Sequence, residues 1–94
     1  MAIVRLVTFD GVTTDRMNQM RDEMQGREPP EGLNAKEIIV LHDPDTERST
    51  VLVFFDNEDD YRQGDATLSA MPDDETPGRR ASVTRYDVAA RMTD

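Results

Sequence analysis

Two arginines that lie within predicted strands are candidates for a functional site. Arg5 and Arg85 fall on strands that the topology predicts to be neighbours. Two guanidinium groups that face one cavity can hold an anionic or enolate-like ligand through forked hydrogen bonds. The alternative is a structural role, in which Arg85 or Arg5 pairs with Asp87, or the arginines lie in solvent. Structural ion pairs are frequent, and the sequence leaves both interpretations open.

His42 is the chain's one histidine, and it could act as a general base because an unperturbed imidazole titrates near neutral pH. The sequence spacing places no serine or cysteine nucleophile beside it. It stands just before a predicted turn, so the alternative is a polar residue at the edge of a hairpin. The chain has no cysteine, which excludes disulfides and thiolate chemistry.

Three acidic residues after His42, namely Asp43, Asp45 and Glu47, resemble the beginning of a calcium-binding loop. Such a loop also needs glycine at its sixth position and an acidic residue at its twelfth. Here Arg48 takes the sixth position, and the twelfth is not acidic. Alternating acidic residues around a proline suit a hairpin turn better. We therefore predict no metal site and no cofactor.

Two further groups of side chains allow either a pocket or plain packing. Met17, Met20 and Met24 recur on one face of a helix, where thioethers can line an adaptable pocket or simply fill a core. Tyr61 is followed one turn later by Gly64, which suggests a close approach of that helix to sheet backbone or to a ligand.

The strands that must position these residues are marked by apolar runs. The runs 38–41 and 51–55 flank the polar turn at 43–47, and we interpret them as a hairpin of two strands, Lys36–His42 and Arg48–Asp56. Strand-forming residues also predict a first strand at Ala2–Phe9 and a last one at Ala81–Met92.

Two helices are predicted between these strands. The first begins after Thr13 or Thr14, either of which can cap it, and ends at Gly26. The second begins after Asn57, whose three following acidic residues suit the positive end of the helix dipole, and it stops at Pro72. The segments 26–34 and 72–78 are predicted loops.

The resulting order is β-α-β-β-α-β in one domain spanning residues 1–94. Right-handed crossovers place one strand between the two strands of each β-α-β unit. The expected fold is therefore ferredoxin-like α+β, with an antiparallel four-stranded sheet of order 4-1-3-2 and both helices on one face.

Apolar residues of the central strands fall on both faces of this sheet. In the third strand, Val51 and Val53 point one way while Leu52 and Phe54 point the other. A sheet with helices on one face ordinarily alternates apolar and polar residues. An apolar second face left in water would form a patch that requires a partner. Two copies packed sheet on sheet about a two-fold axis would cover it, so we predict a homodimer.

This arrangement resembles the dimeric α+β barrel superfamily, and within it the small proteins of the antibiotic-biosynthesis-monooxygenase-like type. The most suggestive segment is Val51–Arg62, a strand that runs into an acidic helix start, followed by Leu68 and Met71-Pro72. The resemblance implies a dimeric barrel and cofactor-independent oxygenation or isomerisation of a small organic compound. Some members use an asparagine, a tryptophan and a histidine. This chain has no tryptophan, and no catalytic residue is transferred to it.

Bulk charge and hydropathy limit the partners. The net charge of −9 opposes binding to nucleic-acid backbones and to anionic membranes. No stretch approaches the roughly 18 apolar residues of a membrane span. The alternating residues 1–9 do not form a signal peptide, so a cytoplasmic protein is expected.

The leading hypothesis is a small-molecule site between the sheet and its helices, in an enzyme of the oxygenase-like or isomerase-like kind. The alternative is a non-enzymatic homodimer that binds a metabolite or a protein partner. The candidate pocket residues are Arg5, Met17, Met20, His42, Tyr61, Leu68, Arg85 and Tyr86.

Overall fold

Six regular elements follow one another in the order that the apolar pattern predicts. The structure is a computed structural model, and it describes residues 2–25, 33–71 and 76–92. The elements are β1 (Ile3–Asp10), α1 (Thr14–Met24), β2 (Glu37–Asp43), β3 (Arg48–Phe55), α2 (Glu58–Ser69) and β4 (Arg79–Asp87). The β-α-β-β-α-β order is confirmed.

The four strands form one antiparallel sheet of order β2-β3-β1-β4. This is the predicted order 4-1-3-2, read from the other edge. Each β-α-β unit has one strand inserted between its own two, since β3 lies between β1 and β2 and β1 lies between β3 and β4. The sequence therefore predicts the ferredoxin-like topology correctly.

Both helices cover the same face of the sheet. The pairing register places Arg5 opposite Val53 and Val7 opposite Val51, so these residues share that face. Helix α2 packs there through Tyr61, whose ring meets Phe55 edge to face at 5.8 Å between centroids. Helix α1 contacts the same face because Met17 packs against the cluster that contains Val7.

The two helix starts are capped as their sequences indicate. Of the two candidate threonines it is Thr13 that caps α1, because its hydroxyl accepts the N–H of Arg16 at 3.1 Å. The side chain of Asn57 caps α2 by accepting the N–H of Asp60 at 2.8 Å. The predicted helix stops at Gly26 and Pro72, and most of the two predicted loops, lie outside the described residues.

The predicted bounds of the last strand, Ala81–Met92, are wrong at both ends. The strand begins at Arg79, which pairs with Asp10 beyond a register irregularity in β1. It ends at Asp87 because its partner strand ends there. β1 begins at Ile3, which pairs with Asp87. One further backbone hydrogen bond joins the Val88 N–H to the Ala2 carbonyl at 2.9 Å.

The face of the sheet opposite the helices carries apolar side chains as well, and we call it the open face. Leu41 is 50% exposed there and Tyr86 is 53% exposed. Its other large apolar residues are Leu6, Ile39, Leu52 and Phe54. The chain covers one end of this face itself, since the Arg91 guanidinium lies 4.8 Å from the Phe54 ring centroid and pairs with Glu37 at 3.0 Å.

None of the helices in the described part of the chain has the length and apolar character that a membrane span requires.

Candidate ligand-binding site

A cavity of about 560 Å³ lies between the sheet and the two helices. Strands β1, β2 and β3 contribute mainly apolar side chains, and β4 contributes Arg80. The helices contribute Met20, Glu23, Met24 and Leu68. Its volume is typical of a site for a small organic molecule, and such sites combine apolar walls with a few polar groups that fix orientation.

Arg5 is the buried charged residue on this cavity's wall. The residue is only 3% exposed, although it stands on the central strand β1 among valines and phenylalanines. Its Nε donates to Asp65 Oδ1 at 2.8 Å and its Nη2 donates to Ser69 Oγ at 3.3 Å. Because a buried cation without a partner is strongly unfavourable, these two residues of α2 are what allow a guanidinium in this position.

One nitrogen of Arg5 is left over. Nη1 has no hydrogen-bond partner among the described residues, although every fully buried side-chain nitrogen or oxygen among them has one. Nη1 therefore keeps access to open space, and Arg5 borders the cavity. Nη1 is thus a hydrogen-bond donor without a partner among the described residues, on a side chain that belongs to the cavity wall.

Three of the eight candidate residues line this cavity, namely Arg5, Met20 and Leu68. Met17 and His42 line a smaller adjoining cavity of about 330 Å³, to which Met20 also belongs. Tyr61, Arg85 and Tyr86 line neither of these two cavities. Tyr86 pairs with Val4 on the open face, on the other side of the sheet.

The His42 ring is fixed by the backbone. Its Nε2 lies 2.9 Å from the Val12 carbonyl oxygen. A carbonyl can only accept, so Nε2 carries the proton and the other ring nitrogen is the acceptor when the imidazole is neutral. The residue opposite His42 is Ser49, which the sequence spacing did not reveal. Ser49 Oγ donates to the Leu41 carbonyl at 2.8 Å, so the structure shows no serine–histidine hydrogen bond among the described residues.

Arg85 is paired away from the cavity. It lies directly opposite Arg5 in the sheet, but its Nη1 donates to Glu58 Oε1 at 2.7 Å and its Nη2 lies 2.6 Å from Glu58 Oε2 in an ion pair. Its guanidinium also lies 4.9 Å from the Tyr61 ring centroid and 3.7 Å from Asp87. The structural Arg85–Asp87 pair is thus present, with Glu58 as the closer partner, whereas the Arg5–Asp87 pair is replaced by Arg5–Asp65.

The hydrogen bond from Arg85 lowers the pKa of the Glu58 carboxyl below its usual value of 4.5. A carboxyl whose pKa is lower in the folded chain contributes stability above its unfolded pKa, and this contribution is lost as the pH falls through the folded value. We therefore expect acid to destabilise the protein less in Glu58→Gln than in the wild type below about pH 4.5. Urea unfolding at about pH 6 and about pH 3.5 measures this difference.

The matched control for that experiment is Glu23→Gln on α1, which removes a carboxylate that no arginine contacts among the described residues. Glu23→Gln should keep the wild-type loss of stability on acidification. Equal losses in Glu58→Gln and the wild type would show that the Glu58–Arg85 pair contributes nothing.

The turn at 43–47 is built by local hydrogen bonds. Asp43 Oδ1 accepts the Asp45 N–H at 3.0 Å, and the turn joins Asp43 and Arg48, which are paired in the sheet. Within residues 2–25, 33–71 and 76–92, no three histidine, aspartate or glutamate side chains are grouped so that they could hold a metal ion.

No model of a known protein family matches this sequence, and no curated protein matches it either.

The sequence reasoning missed Asp65 and Ser69, the two residues that hold Arg5. A signal for Asp65 was present, because it follows Tyr61 by four positions and precedes Leu68 by three, so all three share one face of α2. A carboxylate on the predicted apolar face of a helix, opposite an arginine on the apolar face of a strand, indicates a buried ion pair.

Proposed function

We propose that this protein binds a small, mainly apolar organic molecule in the cavity between its sheet and its helices. The observation that carries the proposal is the buried Arg5, which lines an apolar cavity of about 560 Å³ and whose Nη1 has no hydrogen-bond partner among the described residues. Buried cations are rare in cores and are retained where they have a role.

Two forms of this function are open to the chain, binding alone and catalysis without a cofactor. Binding alone is supported by the contacts of His42, the candidate base. One of its ring nitrogens is hydrogen-bonded to the Val12 carbonyl, and no nucleophilic side chain bonds to the ring among the described residues. Catalysis in the form of oxygenation or isomerisation of an enolisable compound is supported by Arg5, because a guanidinium donor can stabilise an enolate oxygen. The family resemblance adds to the second form only by analogy.

We further propose that the protein functions as a homodimer that packs open face on open face. The support is the apolar character of this face around Leu41, Leu52 and Tyr86. An exposed apolar patch of this kind is typical of an interface, and a flat sheet face is compatible with a two-fold axis.

A ligand screen with a blocked-cavity variant tests the binding proposal. We expect some aromatic or polyketide-like compounds of about 10–20 non-hydrogen atoms, a size that suits such a cavity, to raise the melting temperature. Val40→Trp should abolish these shifts, because Val40 lines both cavities. Gln63→Trp is the matched control, since Gln63 is exposed on α2 and lines neither cavity.

The screen also has a result that contradicts the proposal. If no compound shifts the melting temperature, or if Val40→Trp responds like Gln63→Trp and the wild type, the cavity is not a binding site.

A further inference from the structure

The cation in the cavity is already neutralised, and this limits the chemistry of the ligand. Asp65 Oδ1 lies 2.8 Å from Arg5 Nε, and the Asp65 side chain is 40% exposed. The pair has no net charge, so what it offers a ligand is a directed hydrogen-bond donor rather than a positive field. A carboxylate bound at Arg5 would stand close to the Asp65 carboxylate, and like charges at a shared site repel each other strongly.

The other charges around the cavity also disfavour an anionic ligand. Glu23 also lines it, and the whole chain carries a net charge of −9. Arg80 is the second arginine on the wall, but it is exposed to solvent, which screens its charge, and it donates to the Leu68 carbonyl at 3.2 Å. A neutral ligand avoids the repulsion and still fills the apolar walls.

We infer that the ligand is an uncharged, mainly apolar compound with a carbonyl oxygen that accepts a hydrogen bond from Arg5 Nη1. This inference rests on the proposed function and narrows its substrate class to ketones or related carbonyl compounds. It excludes carboxylic acids as the preferred class.

Asp65 and Ser69 are positioning residues for this donor. They lie four positions apart, about one helical turn, on the same face of α2. Each accepts a hydrogen bond from a different nitrogen of Arg5. Two hydrogen bonds to a planar guanidinium fix its orientation, and this leaves Nη1 as the nitrogen that can meet the ligand.

Three compounds of one shape test the inference, namely methyl naphthyl ketone, ethylnaphthalene and naphthoate, each substituted at the same ring position. The ketone has one uncharged oxygen acceptor, the hydrocarbon has no acceptor, and naphthoate has a charged carboxylate. Titration followed by protein NMR gives the affinity of each. We expect the ketone to bind about tenfold more tightly than the hydrocarbon, which is the usual size of a hydrogen bond to a charged donor, and also more tightly than naphthoate.

For each variant we compare the affinity for the ketone with the affinity for the hydrocarbon. The ratio of the two shows which residue supplies the donor, because a loss of stability alone would not change it. Arg5→Met should bring the ratio close to one. Asp65→Asn and Ser69→Ala should each lower it, while Asp59→Asn, the same change elsewhere on α2, should leave it at the wild-type value. If Arg5→Met does not fold, Asp65→Asn still reports on the donor.

The outcomes separate this inference from the proposal on which it rests. Binding of the hydrocarbon as tightly as the ketone, or of naphthoate at least as tightly as the ketone, overturns the inference and leaves the cavity as a binding site. An unchanged ratio in Arg5→Met or Asp65→Asn also overturns it. Binding of none of the three compounds overturns the proposed function and the inference together.

Discussion

The Gly64→Ala variant is expected to lose about 1–3 kcal/mol of its free energy of unfolding, the usual cost of overpacking a core. A Cβ added at Gly64 would overlap the Phe55 ring, with Phe55 Cζ at 2.5 Å, and would lie 3.1 Å from Leu33 Cδ1. Phe55 is fully buried and its ring packs edge to face on Tyr61, so the ring can move only if its neighbours shift. Alanine is the better helix former by about 1 kcal/mol, but this gain does not offset the overlap.

Urea unfolding of a double-mutant cycle measures that effect and assigns its cause. In a Phe55→Leu background the same Gly64→Ala change should cost much less, because the ring that it meets is gone. Gln63→Ala, at the neighbouring exposed position of α2, is the control and should be close to neutral. A Gly64→Ala protein as stable as the wild type would show that α2 does not approach β3 as closely as described.

Given the proposed dimer through the open face, the Leu52→Glu variant is expected to be a monomer. Leu52 lies on the open face of β3, a strand with a neighbour on each side. A carboxylate there would be hydrated in a single chain but would be buried without a partner in a sheet-on-sheet dimer, which is strongly unfavourable. Sedimentation velocity at micromolar concentration distinguishes the two states.

A matched charge on the helical side controls for the added acid. Ala66→Glu places the same group on an exposed position of α2, and this variant should remain a dimer. A wild-type protein that sediments as a monomer, or a Leu52→Glu protein that still sediments as a dimer, would refute dimerisation through the open face.

The fold was largely predictable because its signals are local and periodic. Alternation in β3 assigns Val51 and Val53 to one face and Leu52 to the other, and the register confirms this. The cap at Asn57 and the order of the sheet follow from equally local chemistry and from the handedness of crossovers. The end of β4 at Asp87 was not predictable, because it is set by the start of its partner strand β1 at Ile3.

The candidate site was predicted only in part because it depends on distances across the fold. Arg5 was correctly placed on a strand next to that of Arg85, but its partner Asp65 lies 60 positions away. The pairing of His42 with Ser49 depends on the register of the hairpin rather than on the residue types. Whether the methionines of α1 fill the space beneath them or leave a cavity depends on packing volumes that composition does not fix.

The position of β1 at the centre of the sheet has a consequence for how the chain folds. β1 is synthesised before both of its neighbours, β3 and β4. Thr8 and Ser82, which a side-chain hydrogen bond joins across β1 and β4, are 74 positions apart. Contacts of such long range slow folding, because the loop must close before the contact is gained. On the ribosome the edge of β1 that pairs with β4 must therefore stay open after β3 has emerged from the exit tunnel, until β4 has emerged as well.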